Sequence, residues 1–342
     1  MIRALGRTRS YPGARVAGWA ALLLLLLLAV GALALRLGTP ALTWPALLDL
    51  LAAGGGARIT RIVVLELRLP RLLIGMISGA LLALAGAILQ ATLRNPLAGP
   101  ELLGISSGAS IVVAVITIFK LPVLFQLTPW LALGGGLLGG TMVLLAARAV
   151  QDALRLVLIG ATVSALLNAV LIGMLSLATQ SEVTLLFFFL MGSLANRTWQ
   201  QVGLLAPWAL VGAPLALAGA RALNALHLGD DVATNLGMNV GRVRLLLLSL
   251  SAALVAAVVA VCGPIGWIAL LAPHIARHAL GTPDARQVLP IAALLGAALL
   301  SGADLLARLA LAPEELPVGI WTTLIGGPLL VMLLHCRREG AL

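Results

Sequence analysis

The chain has 342 residues, of which 61% are hydrophobic and only 10% are charged. A soluble domain carries roughly a quarter charged residues, so this composition excludes an ordinary soluble enzyme and indicates an integral membrane protein. The formal net charge is +10, and almost all of the basic residues are arginines at the ends of apolar runs. That placement is typical of membrane topology and argues against nucleic-acid binding, which needs a basic patch or tail.

The apolar runs predict an all-α polytopic membrane protein with about ten transmembrane helices in a single domain, residues 1–342. A helix needs about 20 apolar residues to cross a bilayer, at about 1.5 Å rise per residue. The first run follows a basic tail and is interpreted as an uncleaved membrane helix. The predicted helices cover approximately residues 16–36, 70–92, 103–120, 128–149, 155–177, 202–222, 243–262, 265–280, 288–311 and 317–335.

Two of the connecting stretches are predicted to lie outside the membrane. The first, residues 38–67, contains a short amphipathic piece at Trp44–Leu51 and a flexible Gly54–Gly56. The second, residues 179–201, is predicted to form a short helix at the membrane surface.

The longest polar stretch, residues 224–244, is predicted to form a compact helical knob. Gly229 precedes two acidic residues, which suit the positive end of a helix dipole. A short helix at Asp231–Leu236 is expected to end at Gly237, a natural residue for the position after a helix. A second turn around Asn239–Val243 leads into the next membrane helix. Because the loops between membrane helices are usually short, this knob suggests a surface that docks another protein.

The basic residues also predict an orientation. An even number of membrane helices puts both chain ends on one side. With the N-terminus in the cytoplasm, 14 basic residues lie at inner ends and 8 at outer ends, in agreement with the positive-inside rule. Four outer arginines lie within fourteen residues of one another, which topology alone does not explain: Arg58, Arg61, Arg68 and Arg71.

The sequence contains no motif for catalysis, for a nucleotide or for a cofactor. It lacks a P-loop, a Ser-His-Asp set, an HExxH motif and paired carboxylates. His274 and His278 are four residues apart and would share a helix face, but a third ligand is missing, so no metal site is predicted. Asp304 and Arg308 are also four residues apart, inside a predicted membrane helix, and are expected to pair with each other.

The stretch Arg68–Ser110 reads RLPRLLIGMISGALLALAGAILQATLRNPLAGPELLGISSGAS. Its apolar part is rich in small residues, which let a neighbouring helix approach closely. Asn95-Pro96 and Gly99-Pro100 stop this helix and form a polar corner before the next one. Gln90 here, and Asn168 in a later membrane helix, are expected to form interhelical hydrogen bonds.

This stretch resembles the signature of FecCD-type permeases, the membrane subunits of ATP-binding-cassette (ABC) importers for iron-siderophores, heme and vitamin B12. The resemblance continues in LGDDVATNLGMNVGRVR, GPIGWIALLAPHIARHALG, LSGADLLARLAL and ELPVGIWTTLIGGPLLVMLL. It covers nearly the whole chain beyond Val63. These motifs are specific for the family and say little about the substrate.

The resemblance implies the type II fold of ABC importer permeases. It also implies a second permease copy, identical or related, with the translocation path between the two copies. Two cytoplasmic ABC ATPase subunits and a periplasmic substrate-binding protein are the other expected partners, with membrane lipid around the helices. No cofactor, no metal and no nucleic acid is expected.

The resemblance also implies roles for particular residues. The ATPase-coupling positions lie in the segment of about 224–244, and the best candidates are Leu228, Gly229, Asp230, Asp231, Thr234, Leu236 and Gly237. Docking of the binding protein, through its acidic residues, is assigned to Arg68, Arg71 and Arg308. Candidates for the pathway or for the corner are Gln90, Asn95 and Asn168.

The expected function is therefore import of an iron(III)-siderophore complex across the bacterial inner membrane, with both chain ends in the cytoplasm. A heme or vitamin B12 permease of the same family is the main alternative. An ion- or proton-coupled secondary transporter would need paired acids inside the membrane, which the predicted helices lack. A membrane enzyme or scaffold is a further alternative, for which the sequence offers no catalytic constellation.

Overall fold

The computed structural model describes residues 12–53, 57–146, 153–312 and 314–339, and every regular element in these ranges is helical. The helices in chain order are α1 (Pro12–Arg36), α2 (Trp44–Ala53), α3 (Arg58–Thr92), α4 (Ile105–Ile118), α5 (Thr128–Ala146), α6 (Ala153–Leu175), α7 (Gln180–Leu190), α8 (Trp199–Ala218), α9 (Ala220–His227), α10 (Asp230–Asn235), α11 (Val240–Cys262), α12 (Ile268–Leu280), α13 (Ala285–Leu309) and α14 (Val318–Glu339). Several residues of the sequence analysis lie outside the described residues: Arg3, Arg7, Arg9, Gly54–Gly56 and Arg148. The same holds for the side chains of His335, Cys336, Arg337 and Arg338.

Ten of the helices in the described ranges correspond to the ten predicted membrane helices. Seven of them are long and apolar enough to cross a membrane, namely α1, α3, α5, α6, α8, α11 and α13. The other three are α4, with 14 residues, α12, with 13 residues, and α14, whose apolar part covers residues 318–330. A helix as short as α12 extends over only about 20 Å of a hydrocarbon core of about 30 Å.

The helix predicted at 70–92 begins earlier, at Arg58. The segment predicted to connect the first two membrane helices is therefore helical from Arg58 onward. Residues Ile62–Arg68 form a π-helical segment directly before Pro70. The wider π turns accommodate the proline ring and its missing N–H, so the helix continues through a residue that usually ends one. The short amphipathic piece predicted at Trp44–Leu51 is helical and forms part of α2, and the short helix predicted within residues 179–201 is α7.

Helix α3 connects two polar regions at opposite ends of the bundle. We define the arginine end by Arg68, Arg71 and Arg308, and the coupling end by Arg94 and Asp230. Near the start of α3, the arginine end meets the last turn of α1 and the last turns of α13. Beyond the end of α3, the coupling end meets α9 and the start of α11.

Helix α3 is the buried centre of the bundle, because 78% of its most apolar window lies inside the protein, against 11% for α1. Its small residues let other backbones touch it. A Cβ atom added at Gly79 would overlap the carbonyl oxygen of Gly296 in α13, and one added at Gly296 would overlap the carbonyl oxygen of Gly79. A Cβ at Gly86 would overlap the carbonyl oxygen of Ala269 in α12. The predicted close packing of this small-residue helix is thereby confirmed.

The link between α11 and α12 is not helical although it lies beside the middle of α3. The end of α11 lies beside the half of α3 that is nearer the arginine end, since Cys262 Sγ is 3.4 Å from Ser78 Oγ. The start of α12 is level with Gly86, through Ala269. Residues 263–267 therefore descend inside the bundle, and Gly263 and Trp267 have the positive φ angles of 74° and 70° that this turn requires.

The glycine contact between α3 and α13 gives a direct test. We expect Gly296→Ala to lower the melting temperature of the detergent-purified protein, because overpacking of a core costs about 1–3 kcal/mol. The matched control is Gly302→Ala in the same helix, where an added Cβ meets nothing within 4 Å. Alanine favours a helix over glycine by about 1 kcal/mol, so this control should melt at the same or a higher temperature. Equal melting of both variants, measured by tryptophan fluorescence, would contradict the close contact.

Candidate functional site

One face of the bundle carries an open cleft of about 560 Å³. Helices α4 and α14 contribute to its walls, with side chains from α3, α6, α7, α11 and the link after α11. It extends from the turn Pro100–Leu103, next to the coupling end, to Pro264 and Gly319 farther up the bundle. The residues that line it are Leu82, Pro100, Glu101, Ser106, Ser107, Ser110, Asn168, Leu171, Leu190, Met191, Val255, Val259, Pro264, Ile265, Gly266, Gly319, Ile320, Thr323 and Leu324.

The polar side chains of the cleft are mostly neutral. Ser106, Ser107 and Ser110 form one group on α4, and Thr323 lies on α14. Ser107 Oγ donates a hydrogen bond of 3.0 Å to Asn168 Oδ1, which confirms the interhelical bond predicted for Asn168. This lining offers hydrogen bonds to a passing polar solute and has the aliphatic walls of a neutral passage.

Glu101 is the one charged residue among the described residues that line the cleft. Its side chain is exposed and lines the cleft, and enough protein lies around it to reduce its hydration. Burial raises the pKa of this carboxyl above its usual range, because the charged form loses hydration. The sequence analysis did not single out this residue, since nothing in the spacing of the corner marks which of its side chains faces the cleft.

Gln90 and Asn95 hold the corner together and are absent from the cleft lining. Gln90 is buried at the end of α3, where its amide nitrogen donates to the carbonyl oxygen of Leu270 at 3.2 Å and its oxygen accepts from Arg277. Asn95 Oδ1 accepts a hydrogen bond of 2.9 Å from the backbone N–H of Leu97. Of the three candidates for pathway or corner, Asn168 alone contacts the cleft.

The polar segment forms the predicted knob. The short helix α10 begins at Asp230, one residue before its predicted start, and Gly237 follows it with a φ angle of +83°. The N–H of Gly237 donates to the carbonyl of Thr234 at 2.9 Å, and the N–H of Met238 donates to the carbonyl of Ala233 at 3.1 Å. This pair of bonds is a Schellman motif, which needs a left-handed residue at Gly237. Asn239 then caps α11.

Asp230 joins the knob to the corner after α3. Its carboxylate accepts from Arg244 Nη2 at 2.9 and 3.0 Å and also from Arg94. Arg94 donates in addition to the carbonyl of Leu226 at 2.9 Å. Sequence reasoning placed Asp230 at a helix start but missed its two arginine partners, because one lies 136 residues away in the sequence. Asp231, the next residue, is exposed.

A second contact joins the start of the polar segment to α13. Asn224 donates to Asp284 Oδ1 at 2.6 Å and accepts from the N–H of Ala285 at 2.8 Å, so it shares the capping of α13 with Asp284. The hydrogen bonds from Asn224 and from the N–H of Arg286 lower the pKa of the Asp284 carboxyl. The segment is therefore attached to α3, α11 and α13 at once.

The outer surface of the knob exposes an apolar stripe. Leu228, Val232 and Leu236 occur every fourth residue and are 65%, 44% and 68% exposed. Exposed apolar patches beside polar groups mark contact surfaces for other proteins. Leu228 and Leu236 were among the predicted coupling residues, and the structure adds Val232 to them.

At the arginine end, Arg68 and Arg308 are buried and donate to backbone carbonyls. Arg68 bonds the carbonyls of Leu35 and Arg36 at 2.8 and 2.9 Å, and Arg308 bonds that of Leu37 at 2.9 Å. The last carbonyls of a helix have no intrahelical donor and attract cations. These two side chains therefore hold the end of α1 and the segment that follows it.

The predicted pair of Asp304 with Arg308 is wrong. Asp304 instead binds Arg71, whose Nε and Nη2 atoms donate to its carboxylate at 2.8 to 3.1 Å. Arg71 also forms an ion pair of 2.7 Å with Glu315. Arg308 is drawn to the unsatisfied carbonyls of α1, which leaves Asp304 to the facing helix. The arginine side chains exposed at this end are those of Arg58 and Arg61.

No group of three or more His, Cys, Asp or Glu side chains that could hold a metal occurs among the residues that the structure describes. His274 is buried within α12, and Cys262 is a buried free thiol at the end of α11. Both belong to the packing of the bundle.

A bundle of apolar membrane helices with an open, mostly uncharged cleft on one face is the architecture expected of a membrane transport permease. The model of the FecCD transport family matches residues 24–336, and the chain belongs to this family. It is accordingly a multi-span subunit of an ABC transporter in the inner membrane, and ATP hydrolysis resides in a separate subunit.

Relatives in this family are similar over most of their length. The hemin transport system permease protein HmuU of Yersinia pestis is 41% identical over 80% of this chain and 84% of its own. The Fe(3+) dicitrate transport system permease protein FecD of Escherichia coli is 41% identical over 81% and 86%. The vitamin B12 import system permease protein BtuC of Vibrio cholerae is 39% identical over 81% and 84%.

A solved structure supports the fold. It is an inward-facing conformation of an ABC transporter assigned to the metal-chelate type, with a TM-score of 0.82 and 30% sequence identity. The match covers 95% of this chain and 99% of the other. The predicted all-α permease fold is thereby confirmed.

Proposed function

We propose that this permease passes an iron(III)-siderophore complex across the inner membrane into the cytoplasm. The observation that carries the proposal is the cleft between α4 and α14, which is open on one side and whose polar lining consists of hydroxyl and amide groups and a single carboxyl, that of Glu101. Such a lining gives a polar chelate a passage without a strong binding site. Relatives named for iron dicitrate support an iron chelate as the cargo.

A second permease copy would close the open side of the cleft and complete the path. In this arrangement the affinity for the chelate resides in the binding protein, and the partners bias the permease between its two open states. A partner shifts such an equilibrium only by binding one state better than the other. Heme and vitamin B12 stay the alternative cargoes, because relatives named for hemin, iron dicitrate and B12 are all 39–41% identical to this chain.

Uptake by the complete transporter tests the proposal. The permease, its ATPase and its binding protein are reconstituted in proteoliposomes and offered an iron-labelled siderophore, heme or cobalamin. We expect ATP-dependent import of the iron-siderophore and little import of the other two. Import of heme or cobalamin without import of an iron chelate would refute the proposed cargo.

We also infer that the coupling end faces the cytoplasm, with both chain ends on that side, and that its knob binds the ATPase. The exposed stripe of Leu228, Val232 and Leu236 supports this inference. The ion pairs of Asp230 would pass a movement of the knob to the corner beside the cleft. Gly229, Asp231, Thr234 and Gly237 then shape or surround the contact surface.

The knob surface predicts loss of coupling. Leu236→Asp should weaken copurification of the ATPase about tenfold or more, since an anchor residue at an interface contributes about 1–3 kcal/mol. ATP-driven uptake should fall with it, while insertion in the membrane stays normal. Leu311→Asp, at an exposed leucine of the arginine end, is the matched control. Equal ATPase binding by both variants would argue against the knob as the coupling surface.

We infer in turn that the arginine end faces the periplasm and docks the binding protein through its acidic residues. Arg68 and Arg308 lie beneath this surface and hold the end of α1 and the segment after it in place. Arg71 lies closest to the surface of the three, through its ion pair with Glu315, a residue whose side chain is 38% exposed.

Docking gives a salt-dependent prediction. Arg71→Gln should weaken binding of the binding protein to the permease in nanodiscs about fivefold to tenfold at low salt, and less at high salt because salt screens the attraction between this end of the permease and the acidic residues of the binding protein. Lys120→Gln removes an exposed basic residue at the same end and serves as the control. The melting temperature of each variant is recorded alongside. An Arg71→Gln affinity equal to that of the control would exclude Arg71 from docking.

A further inference from the structure

The inner end of the cleft carries a negative group and lacks a positive one. No arginine, lysine or histidine lines the cleft among the described residues, and Glu101 is exposed there. The ion pairs of the described residues involve Arg71, Arg94, Lys120 and Arg244, and none of them includes Glu101. The chain has 22 arginines and lysines, and none of those that the structure describes lines the cleft to balance the charge of Glu101.

The position of Glu101 makes its charge felt by a cargo. It lies in the turn Pro100–Leu103, which lines the end of the cleft nearest the coupling end, so a solute that travels the cleft passes it. The aliphatic walls of the cleft lower the local dielectric constant below that of bulk water, so the charge is screened less there than on an open surface. A carboxyl group is either negative or neutral, and its neutral form still donates a hydrogen bond. The charged form repels an anion, and the neutral form lacks the positive charge of an arginine or lysine.

We propose that Glu101 is a specificity-determining residue that disfavours anionic chelates, so that this permease passes neutral or cationic iron(III) complexes. This inference rests on the proposed function as an iron-chelate permease. A trihydroxamate complex of iron(III) is neutral, because the ligand charges balance that of the metal. Citrate and catecholate complexes keep a net negative charge. The trihydroxamate class therefore fits the cleft, and Glu101 repels the other two.

The neighbouring hydroxyl groups support the same class of cargo. Ser106, Ser107 and Ser110 lie directly after the turn that holds Glu101. Hydroxyl groups both donate and accept hydrogen bonds, as the amide and hydroxamate groups on the surface of such a complex require. A cleft built for an anion would instead be expected to place arginine or lysine at this end.

The test compares two chelates in one reconstituted transporter. Uptake of a neutral ferric trihydroxamate and of anionic ferric citrate is measured for the unchanged permease, for Glu101→Gln and for Glu101→Lys. The same binding protein is used throughout, so a change in the ratio of the two uptake rates arises in the permease. Glu66→Gln, at an exposed glutamate outside the cleft, is the matched control.

We expect the unchanged permease and the Glu66→Gln control to favour the neutral chelate. Glu101→Gln should reduce that ratio about tenfold by raising citrate uptake, and Glu101→Lys should invert it. Uptake of the neutral chelate shows that each variant is assembled, and Glu101→Gln decides alone if the lysine variant does not assemble.

Two outcomes overturn the inference. An unchanged ratio in Glu101→Gln, with the neutral chelate still imported, refutes the role of Glu101 and leaves the proposed function intact. Import of heme or cobalamin by the unchanged permease, without import of either iron chelate, refutes the proposed function and the inference with it.

Discussion

The architecture depends on the contact of α3 with its neighbours at the level of backbone atoms. Lipid tails are as apolar as leucine side chains, so burial of apolar surface drives helix association weakly in a membrane. Close approach must supply the packing energy instead, and Gly79, Gly86 and Gly296 permit it. With α3 fixed in the centre, its two ends determine where the polar regions lie, and the cleft opens along the face that no helix of the same chain covers.

Charged residues at both ends of the bundle are mostly committed to internal contacts. Arg68 and Arg308 satisfy the last carbonyls of α1, and Asp230 binds two arginines from different parts of the chain. An unpaired charge near the hydrocarbon core is costly, so such residues keep a partner within the protein. Few charged side chains are therefore left to contact a partner protein. The exposed stripe on the knob is apolar and lies on a support that these internal contacts hold in place.

The sequence allowed the ten helices, the corner and the knob to be predicted, because apolar runs, prolines and glycines act locally. Prediction from the sequence failed where the contact of a side chain is made with a residue far away in the sequence. Asp304 was assigned to Arg308 by helical spacing, but Arg71 from α3 outcompetes it. Pro70 led to a predicted helix start at residue 70, because the π-helical segment that lets the helix continue through this proline has no sequence signal. Glu101 was overlooked because periodicity does not say which side of an irregular turn faces a cleft.

The non-helical link at residues 263–267 has a consequence for ion leakage. Irregular backbone survives at membrane depth only where it is buried in protein or borders water, since lipid cannot hydrogen-bond to its polar groups. Pro264, Ile265 and Gly266 line the cleft, so water that enters the cleft reaches the polar backbone groups of this link. A hydrated space that opened to both sides at once would dissipate the proton gradient of the cell. The transporter must therefore keep one end of the path sealed whenever the other end is open.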